Sequence, residues 1–290
     1  MVPGKGYGAV KPVIVNNLEI RLAETEREVD ASQALRYRIF YDEMGAKPSP
    51  RVLKTERDFD PYDEFCDHLM VIDRERGTAK DPCVVGTYRL LRGNVADEYA
   101  GFYSESEFEL GPLIHRSGQV LELGRSCIDS DYRSRGTMQL LWRGIADYVF
   151  EHSIRYMFGC ASIPGTNPTD MKLPLSYLYH HHLAPRHIRT HALDERYVDM
   201  NMMAKETIDA GQALREMPPL IKGYLRVGSV VGDGAVIDYD FNTVDVNIIV
   251  ETENVTSKYL SHYTRESNKA GATSEVPANS KVKTNQDAVA

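Results

Sequence analysis

The stretch "ELGRSCIDSDYRSRGTMQLLWRGIADYVF", from Glu122 to Phe150, begins with the pattern of a strand and ends with that of a helix. The apolar residues of its second half recur at steps of three and four, which is the spacing of one buried helix face. Arg133, Arg135 and Gly136 stand between the two patterns. A helix N-terminus has unpaired N–H groups and a partial positive charge, so it can bind an anion, most closely beside a residue without a side chain. The stretch predicts a phosphate-bearing ligand; the alternative is a glycine turn with solvated arginines.

The remaining segments surround this unit with strands and helices. A possible capping box of Thr25 and Glu28 precedes a helix predicted over 26–44, and a second helix is predicted over 205–216. Alternating or continuous apolar runs predict strands. These runs cover 18–24, 68–73, 83–91, 119–128, 156–162, 235–240 and 244–251. The order of the segments predicts a mixed α/β domain with a central sheet.

Composition limits the class of protein. The 290 residues are 42% hydrophobic, which suffices for one large domain or two small ones. The formal net charge of -8 gives no argument for nucleic-acid binding. Four cysteines without C-x-x-C spacing are typical of reduced thiols in a cytosolic protein. The N-terminus lacks the apolar core of a signal peptide, and no run approaches the ~18 apolar residues of a spanning helix.

The chain is predicted to have one folded domain between two unstructured ends. Residues 1–16 are predicted to be a flexible arm, 17–252 the domain and 253–290 a largely disordered tail. From 267 onward the tail has no Leu, Ile, Met or aromatic residue, so it cannot bury enough surface to offset its ordering entropy. Four prolines within 163–198 predict an irregular insertion in the domain.

The Arg-x-x-Gly pattern of Arg133 and Gly136 resembles the phosphopantetheine-binding loop of the GNAT acyltransferases. The resemblance implies the GNAT fold, an α/β (α+β) domain with a central, mixed and mostly antiparallel sheet flanked by helices. It also implies a pantetheine phosphate site whose residues are Arg133, Arg135, Gly136, Thr137 and Met138. Met138 replaces the small residue usual in this loop, and a carrier-protein pantetheine, with its single phosphate, tolerates this better than coenzyme A.

Four further segments narrow the resemblance. "LRYRIFYDEM" (35–44), "DPYDEF" (60–65), "VVGTYRLL" (84–91) and "ELGRSCID" (122–129) occur in that order. Together they resemble the acyl-homoserine-lactone synthases, a GNAT branch that takes acyl groups from acyl carrier protein. The matching positions are Arg36, Phe40, Asp60, Asp63, Arg89, Glu122 and Arg125. The tryptophan that follows the first helix of those synthases is missing here, since the single Trp is Trp142.

Two later segments are similar to another family instead. "LPLSYLYHHHLAP" (173–185) and the run from Pro218 to Glu251 resemble the ornithine N-acyltransferases of bacterial ornithine-lipid synthesis, and this similarity spans about 18–252. It implies transfer of a 3-hydroxyacyl group from acyl carrier protein to the α-amine of L-ornithine, which yields lyso-ornithine lipid. The donor is then the phosphopantetheine thioester, and no cofactor is bound permanently. The alternatives are a signal synthase that uses S-adenosylmethionine and a non-catalytic module that binds acyl carrier protein or lipid.

Glu122 is the first candidate for a general base. An α-amine has a pKa near ~7.7–8, so its acylation needs only a modest base, acting directly or through water. Residues three apart in a strand point to opposite faces, and a bulge at Gly124 would bring Glu122 and Arg125 to one face. The alternative is a purely structural pair of these two residues.

The other matched residues have a binding role and a structural alternative each. Asp60 and Asp63 would hold the ornithine side-chain ammonium, or cap a turn at the intervening proline. Arg36, Arg89 or Arg125 would clamp the ornithine carboxylate, since a guanidinium binds a carboxylate with two parallel hydrogen bonds. Arg36 is alternatively a solvated helix residue. Phe40 lines the acyl pocket or packs in the core.

The segment "HHHLAPRHIRTH" (180–191) contains five of the nine histidines. Consecutive histidines do not share a helix face, so we expect no metal site; a surface that docks the acidic carrier protein and a plain solvated loop are the other interpretations. The chain is expected to be cytoplasmic. A peripheral contact with the inner membrane is left open because the implied product is amphiphilic.

Overall fold

The computed structural model describes residues 10–78, 80–115, 119–133, 135–253 and 255. Most of the predicted arm, and the predicted tail apart from residues 253 and 255, lie outside these ranges. Val13–Val15, within the predicted arm, forms the first strand.

The described residues form ten strands in one sheet. The strands are β1 (Val13–Val15), β2 (Leu18–Leu22), β3 (Asp67–Thr78), β4 (Asp81–Arg92), β5 (Phe108–Glu109), β6 (Gln119–Ile128), β7 (Ile154–Pro164), β8 (His191–Ala192), β9 (Val230–Asp238) and β10 (Thr243–Glu251). Their order across the sheet is β1-β2-β3-β4-β6-β7-β10-β9-β8-β5. Neighbours are antiparallel except for the parallel pairs β6–β7 and β8–β9. The predicted mixed, mostly antiparallel sheet is therefore confirmed.

Eight α-helices are present in the described ranges. They are α1 (Glu26–Tyr37), α2 (Pro50–Thr55), α3 (Gly93–Glu98), α4 (Gly111–Ile114), α5 (Arg135–Glu151), α6 (Lys172–His182), α7 (Ala210–Glu216) and α8 (Pro219–Val227). Thr25 and Glu28 form the predicted capping box of α1, which continues into a π-helical turn at Arg38–Glu43. None of the helices in the described part of the chain combines the length and the hydropathy needed to cross a bilayer.

The two faces of the sheet bury different helices. Successive side chains of a strand point to opposite faces. On β3, Leu69 and Val71 pack in one cluster with Leu141 and Ile145 of α5, whereas Met70 and Ile72 pack in another with Leu35 of α1. Helix α5 contacts β2, β3, β4 and β7, whereas α1 contacts β3, β4 and β6. The sheet therefore lies between α5 and α1.

Some segments differ from their sequence-based expectation. The segment 163–198, expected to be irregular, contains the helix α6, since Pro174 lies near the helix start, where a missing N–H costs nothing. Helix α8 was not expected, although Pro219 at its start and Gly228 after its end are the usual boundary residues. Gly228 has a φ of 92°, which favours glycine.

The parallel strands β6 and β7 pair only over part of their length. Their register runs from Gln119 beside Ile154 to Glu122 beside Phe158 and then ends. At the next residue, a Cβ on Gly159 would lie 2.2 Å from the carbonyl oxygen of Leu123, so the two backbones touch at a point that admits only glycine. Beyond this contact β7 pairs with β10 and β6 pairs with β4, and a cavity opens between β6 and β7.

Candidate active site

The cavity between β6 and β7 has a volume of about 730 Å³ and reaches both faces of the sheet. Its wall on the α5 side is mostly apolar and includes Tyr88, Met138, Trp142, Met157, Tyr224 and Ile248. Its wall on the opposite side is polar and includes Arg89, Ser104, Glu122, Arg125, Cys160 and Asp245. An apolar chain and a charged molecule can therefore meet at the point where the strands separate.

Three arginines and three aspartates form one charged network beside the cavity. They are Arg36, Arg89, Arg125, Asp58, Asp60 and Asp63. The side chain of Arg36 is 0% exposed, and those of Asp58 and Asp63 are 2% and 5% exposed. Equal numbers of opposite charges allow this burial, because an unpaired buried charge is costly.

Arg36 is the fully buried centre of the network. Its Nε donates to Asp58 Oδ2 at 2.7 Å, and its two terminal nitrogens donate to the two oxygens of Asp63 at 3.0 and 2.7 Å. Burial alone would raise the pKa of Asp63, but the guanidiniums of Arg36 and Arg89 outweigh it and hold this pKa below its ordinary value. The expectation that Arg36 could be a solvated helix residue was therefore wrong. The segment that contains Asp58 and Asp63 packs over Arg36, and its two carboxylates make the burial of this charge possible.

Arg89 and Arg125 join the network from neighbouring strands. Arg89 on β4 donates to Asp60 Oδ1 at 2.5 Å and to Asp63 Oδ1 at 3.3 Å. Arg125 on β6 donates to Asp60 Oδ2 at 3.0 Å, and its Nε lies 3.2 Å from Asp58 Oδ2. Its guanidinium carbon also lies 4.8 Å from the ring centres of Tyr103 and Phe241.

Asp60 and Asp63 also cap a short 3-10 helix, Pro61–Glu64. Asp60 accepts a hydrogen bond from the Tyr62 N–H at 2.9 Å, and Asp63 accepts one from the Asp60 N–H at 3.3 Å. Both residues therefore perform the capping that was the alternative to ammonium binding, and their oxygens are already shared with arginines. Asp58 was missed in the sequence, although it precedes the Asp60 motif by two residues and belongs to the same acidic run.

Arg125 owes its direction to a bulge in β6. Thr87 of β4 faces Cys127 and Arg89 faces Gly124, so β6 has one extra residue here. Arg125 has a φ of 48°, which is uncommon for a residue with a side chain. The bulge predicted at Gly124 thus lies one residue later. Arg125 contacts Asp58 and Asp60, whereas Glu122 contacts Tyr103 and Ser104. The predicted structural pair of Glu122 and Arg125 is therefore not formed.

Glu122 holds the loop that follows α3. Its Oε1 accepts hydrogen bonds from the Ser104 N–H at 2.7 Å and the Ser104 hydroxyl at 2.5 Å, and its Oε2 accepts one from the Tyr103 N–H at 3.0 Å. Burial raises the pKa of Glu122 above its ordinary value, and these hydrogen bonds oppose the rise. A carboxylate has about four acceptor positions, so one position at Oε2 remains for water or substrate.

Residues of the predicted phosphate site lie beside the same cavity. Arg133 and Met138 line it, Gly136 is exposed and Thr137 is buried in the first turn of α5, which begins at Arg135. Arg133 donates through its Nε to the carbonyl of Ile128 at 3.1 Å and forms an ion pair with Glu43. Phe40 lines the cavity and also packs edge-on against Phe241, with ring centres 5.8 Å apart, so its position is compatible with either predicted role.

A second acidic group, absent from the sequence-based candidates, lies on the polar side. Carboxylate oxygens of Glu107, Asp238 and Asp245 all lie within 4.8 Å of one another. Burial, and then repulsion from Asp245, raises the pKa of Glu107 to about 7; burial is also the main cause that raises the pKa of Asp245 to about 6. A signal for Asp245 existed: it is a charged residue in the middle of the buried run "VDVNIIVE".

The His-rich segment has ordinary contacts. His180, His181 and His182 end α6, the Nε2 of His180 lies 3.0 Å from the Met203 carbonyl, and His181 stacks on Tyr177. Within the described ranges, the one group of three side chains close enough to hold a metal ion is the acidic group and not this segment.

Comparison with known proteins gives consistent matches. A model of the acetyltransferase (GNAT) domain matches residues 35–143. The chain is 43% identical over 251 residues to the L-ornithine N(alpha)-acyltransferase of Agrobacterium fabrum, with 86% of each chain covered. It is 44% identical over 257 residues to the enzyme of the same name from Brucella abortus, with 88% of this chain and 92% of the relative covered.

Solved structures with a similar fold include an N-acyl amino acid synthase from uncultured soil microbes, FeeM. It is 11% identical, with a TM-score of 0.46 over 85% of this chain and 95% of that chain. The acyl-homoserine-lactone synthase LasI is 13% identical, with a TM-score of 0.44 over 83% and 90% of the two chains. At TM-scores below 0.5 these similarities do not establish a substrate.

Proposed function

The chain belongs to the family of the L-ornithine N(alpha)-acyltransferases, and from this membership we propose that it transfers a fatty acyl group to the α-amine of L-ornithine. The observation that carries this proposal is an identity of 42–44% with four such enzymes over 85–88% of the chain. The product is an N-acylated ornithine, the lyso form of an ornithine lipid. The cavity supports this reaction because it offers an apolar wall and a charged wall at one opening in the sheet.

The donor in this proposal is a 3-hydroxyacyl thioester of acyl carrier protein. Its pantetheine arm enters between β6 and β7, and its phosphate binds at the first turn of α5 beside Arg133, Arg135 and Gly136. The amide N–H groups of that turn and the guanidinium of Arg133 provide the binding energy. The acyl chain lies against the wall that contains Trp142 and Tyr224. No permanently bound cofactor takes part.

The reaction joins two groups without a redox step. The neutral α-amine nitrogen attacks the thioester carbonyl carbon, a C–N bond forms, the C–S bond breaks, and the sulfur leaves as a thiol. At pH 7 roughly a tenth of an α-amine is neutral. Glu122 accepts the proton that the ammonium must lose, directly or through one water at the open position of Oε2. Burial raises the pKa of Glu122, which makes it a stronger base than an exposed glutamate.

Arg125 is the residue that binds the ornithine carboxylate in this proposal. It lines the cavity, and its side chain is 13% exposed, against 0% for Arg36 and 4% for Arg89. Arg36, Arg89, Asp60 and Asp63 then support Arg125. They fix its orientation through shared carboxylates, and Arg36 itself is too deeply buried to reach a substrate.

The direct test is thiol release from 3-hydroxyacyl carrier protein. With purified protein and L-ornithine, we expect thiol release that depends on ornithine and a product acylated on the α-nitrogen, as identified by mass spectrometry. Replacing the donor by the matching acyl-coenzyme A should lower kcat/KM.

Three results would overturn parts of this proposal. Thiol release with S-adenosylmethionine but not with ornithine would replace the acceptor. Equal kcat/KM values for the carrier-protein and coenzyme A thioesters would remove the carrier protein from the proposal while leaving ornithine in place. No release with any amine would leave a protein that binds without transferring.

Replacing Arg133 by alanine should raise the KM for the acyl carrier protein about 10- to 100-fold, because a charge-assisted hydrogen bond contributes about 1.5–3 kcal/mol. The KM for ornithine should stay within about twofold. The matched control is Arg57→Ala, which removes an exposed arginine that is also ion-paired, with Asp30, outside the cavity. If both variants had the same KM for the carrier protein as the native chain, the phosphate site would have to lie elsewhere.

A further inference from the structure

In the network of arginines and aspartates, no carboxylate is left to bind the side-chain ammonium of a diamino acid. Each of the three aspartates lies within ion-pair distance of two arginines, and the network has three negative and three positive charges. A cationic ligand placed beside them would also face three guanidiniums. The side-chain ammonium of a diamino acid therefore needs another carboxylate site on the polar wall.

The acidic group of Glu107, Asp238 and Asp245 is the site with excess negative charge. Arg196 is the cation that the described residues place beside it, with a nitrogen 3.8 Å from Glu107 Oε1. That arginine is shared with two carbonyls, since it donates to Ser106 at 2.8 Å and to Ile237 at 3.3 Å. One partly engaged cation cannot balance three buried carboxylates, so the group takes up positive charge, either as protons, in line with the raised pKa values of Glu107 and Asp245, or as a bound cation.

Asp245 is the member that is open to a ligand. It lines the cavity, is 5% exposed, and its Oδ1 is buried with no hydrogen-bond partner among the described residues. Thr243 and Ser162 lie beside its carboxylate and lower its pKa, but they leave this oxygen unpaired. Asp238 also lines the cavity, although its Oδ1 is occupied by the N–H groups of Asp240 and Phe241 at 2.8 and 2.9 Å. A buried, unpaired carboxylate oxygen is the exception in folded proteins and points to a missing partner.

The acidic group is connected to the reacting centre by direct contacts. The Sγ of Cys160 lies 3.2 Å from Glu107 Oε2 and 3.4 Å from Ser104 Oγ. Ser104 in turn donates to Glu122. On the other side, the turn that holds Asp238 places Phe241 over Arg125. Glu122, the guanidinium of Arg125 and the acidic group thus share one wall of the cavity, and they complement the α-amine, the carboxylate and the side-chain ammonium of a diamino acid.

We propose that Asp245, together with Asp238 and Glu107, binds the side-chain ammonium of the acceptor and so selects a diamino acid over a neutral one. This inference rests on the proposed function and adds the residues that determine acceptor specificity. Pairing the side-chain nitrogen with a carboxylate keeps it protonated and non-nucleophilic. Acylation is thereby confined to the α-nitrogen, which approaches Glu122 while the carboxylate binds Arg125.

The test compares L-ornithine with L-norvaline, which has the same carbon chain without the side-chain amine. The native chain should use ornithine with a kcat/KM at least about 10- to 100-fold above that for norvaline, as expected for one buried, charge-assisted contact. In Asp245→Asn this ratio should fall close to one, mainly through a higher KM for ornithine. The matched control is Asp233→Asn, which removes a half-buried carboxylate of β9 that does not line the cavity and should keep the native ratio.

The outcomes separate this inference from the proposed function. Absence of any ornithine turnover by the native chain would overturn the proposed function. Native turnover of ornithine with an unchanged ratio in Asp245→Asn would overturn the ammonium site alone. An unchanged ratio together with turnover that requires added Mg²⁺ or Mn²⁺, at a higher metal concentration in Asp245→Asn than in the native chain, would assign the site to a metal. If Asp245→Asn does not fold, the ratio in Glu107→Gln decides in the same way.

Discussion

Replacing Arg36 by methionine should lower the free energy of unfolding by about 3–5 kcal/mol, the range observed when one partner of a buried ion pair is removed. The side chain of Arg36 is fully buried, and it donates to Asp58 and to both oxygens of Asp63. Without it, two nearly buried carboxylates lose their shortest contacts to a cation. Urea unfolding monitored by circular dichroism measures the change directly.

The chain offers a matched control for burial. Arg57 binds Asp30 with the same two-point geometry, at 2.9 and 3.0 Å, but the two side chains are 32% and 55% exposed. Arg57→Met should therefore change stability by less than about 1 kcal/mol. In the double variant Arg36→Met/Asp63→Asn, part of the loss should be recovered because one uncompensated charge is removed. If Arg36→Met and Arg57→Met lowered the free energy of unfolding equally, burial would not determine how much an ion pair contributes to stability here.

Replacing Glu122 by glutamine should lower kcat about 10²- to 10⁴-fold, the usual contribution of a positioned general base. Glutamine keeps the size of the side chain and one acceptor oxygen for Ser104, but it cannot take a proton. In the native chain, the acid side of the pH profile of kcat/KM should involve two protonations, of the carboxylate and of the α-amine. In the variant only the protonation of the amine should remain, so the slope of log kcat/KM against pH on the acid side should fall from two to one.

Glu105 provides the comparison that separates catalysis from loop support. Glu122 and Glu105 both accept hydrogen bonds at the start of a short 3-10 helix, Tyr103–Ser106, in the loop that follows α3. The Oε2 of Glu105 accepts a hydrogen bond from the Phe102 N–H at 2.6 Å, and Glu105 does not line the cavity. Glu105→Gln should keep kcat within a few-fold. If it reduced kcat as much as Glu122→Gln and the pH profiles of the two variants agreed, Glu122 would be a supporting residue and not the base.

Local patterns were sufficient to predict the elements that form the cavity. Strand β6 begins and ends at the expected residues, because its apolar run is bounded by polar residues on both sides. The apolar stripe of α5 predicts its buried face, where Leu141, Ile145 and Tyr148 are at most 1% exposed. The capping box of α1 is a contact between residues three apart, and such contacts can be recognised in a sequence.

Contacts between distant segments were not predictable in the same way. The burial of Arg36 depends on Asp58 and Asp63, which lie 22 and 27 residues away. The acidic group joins Glu107 to Asp238 and Asp245 across more than a hundred residues. Neither spacing has a periodic signature, since both arise from the way the sheet brings separate loops together. Asp245 shows what a sequence can offer here: a charge within a buried strand marks a position whose partner must be found in the fold.

The contact between Gly159 and the Leu123 carbonyl also limits how this protein can diverge. With only 2.2 Å from a methyl carbon to a backbone oxygen, no substitution at 159 leaves the two strands where they are. Mutations that change side chains of the apolar wall, or acidic residues of the polar wall, can alter substrate specificity without disturbing this contact. Descendants of the chain can thus acquire new acyl donors and acceptors, while a lineage that replaces this glycine must move the two strands apart beside the cavity that all of them use.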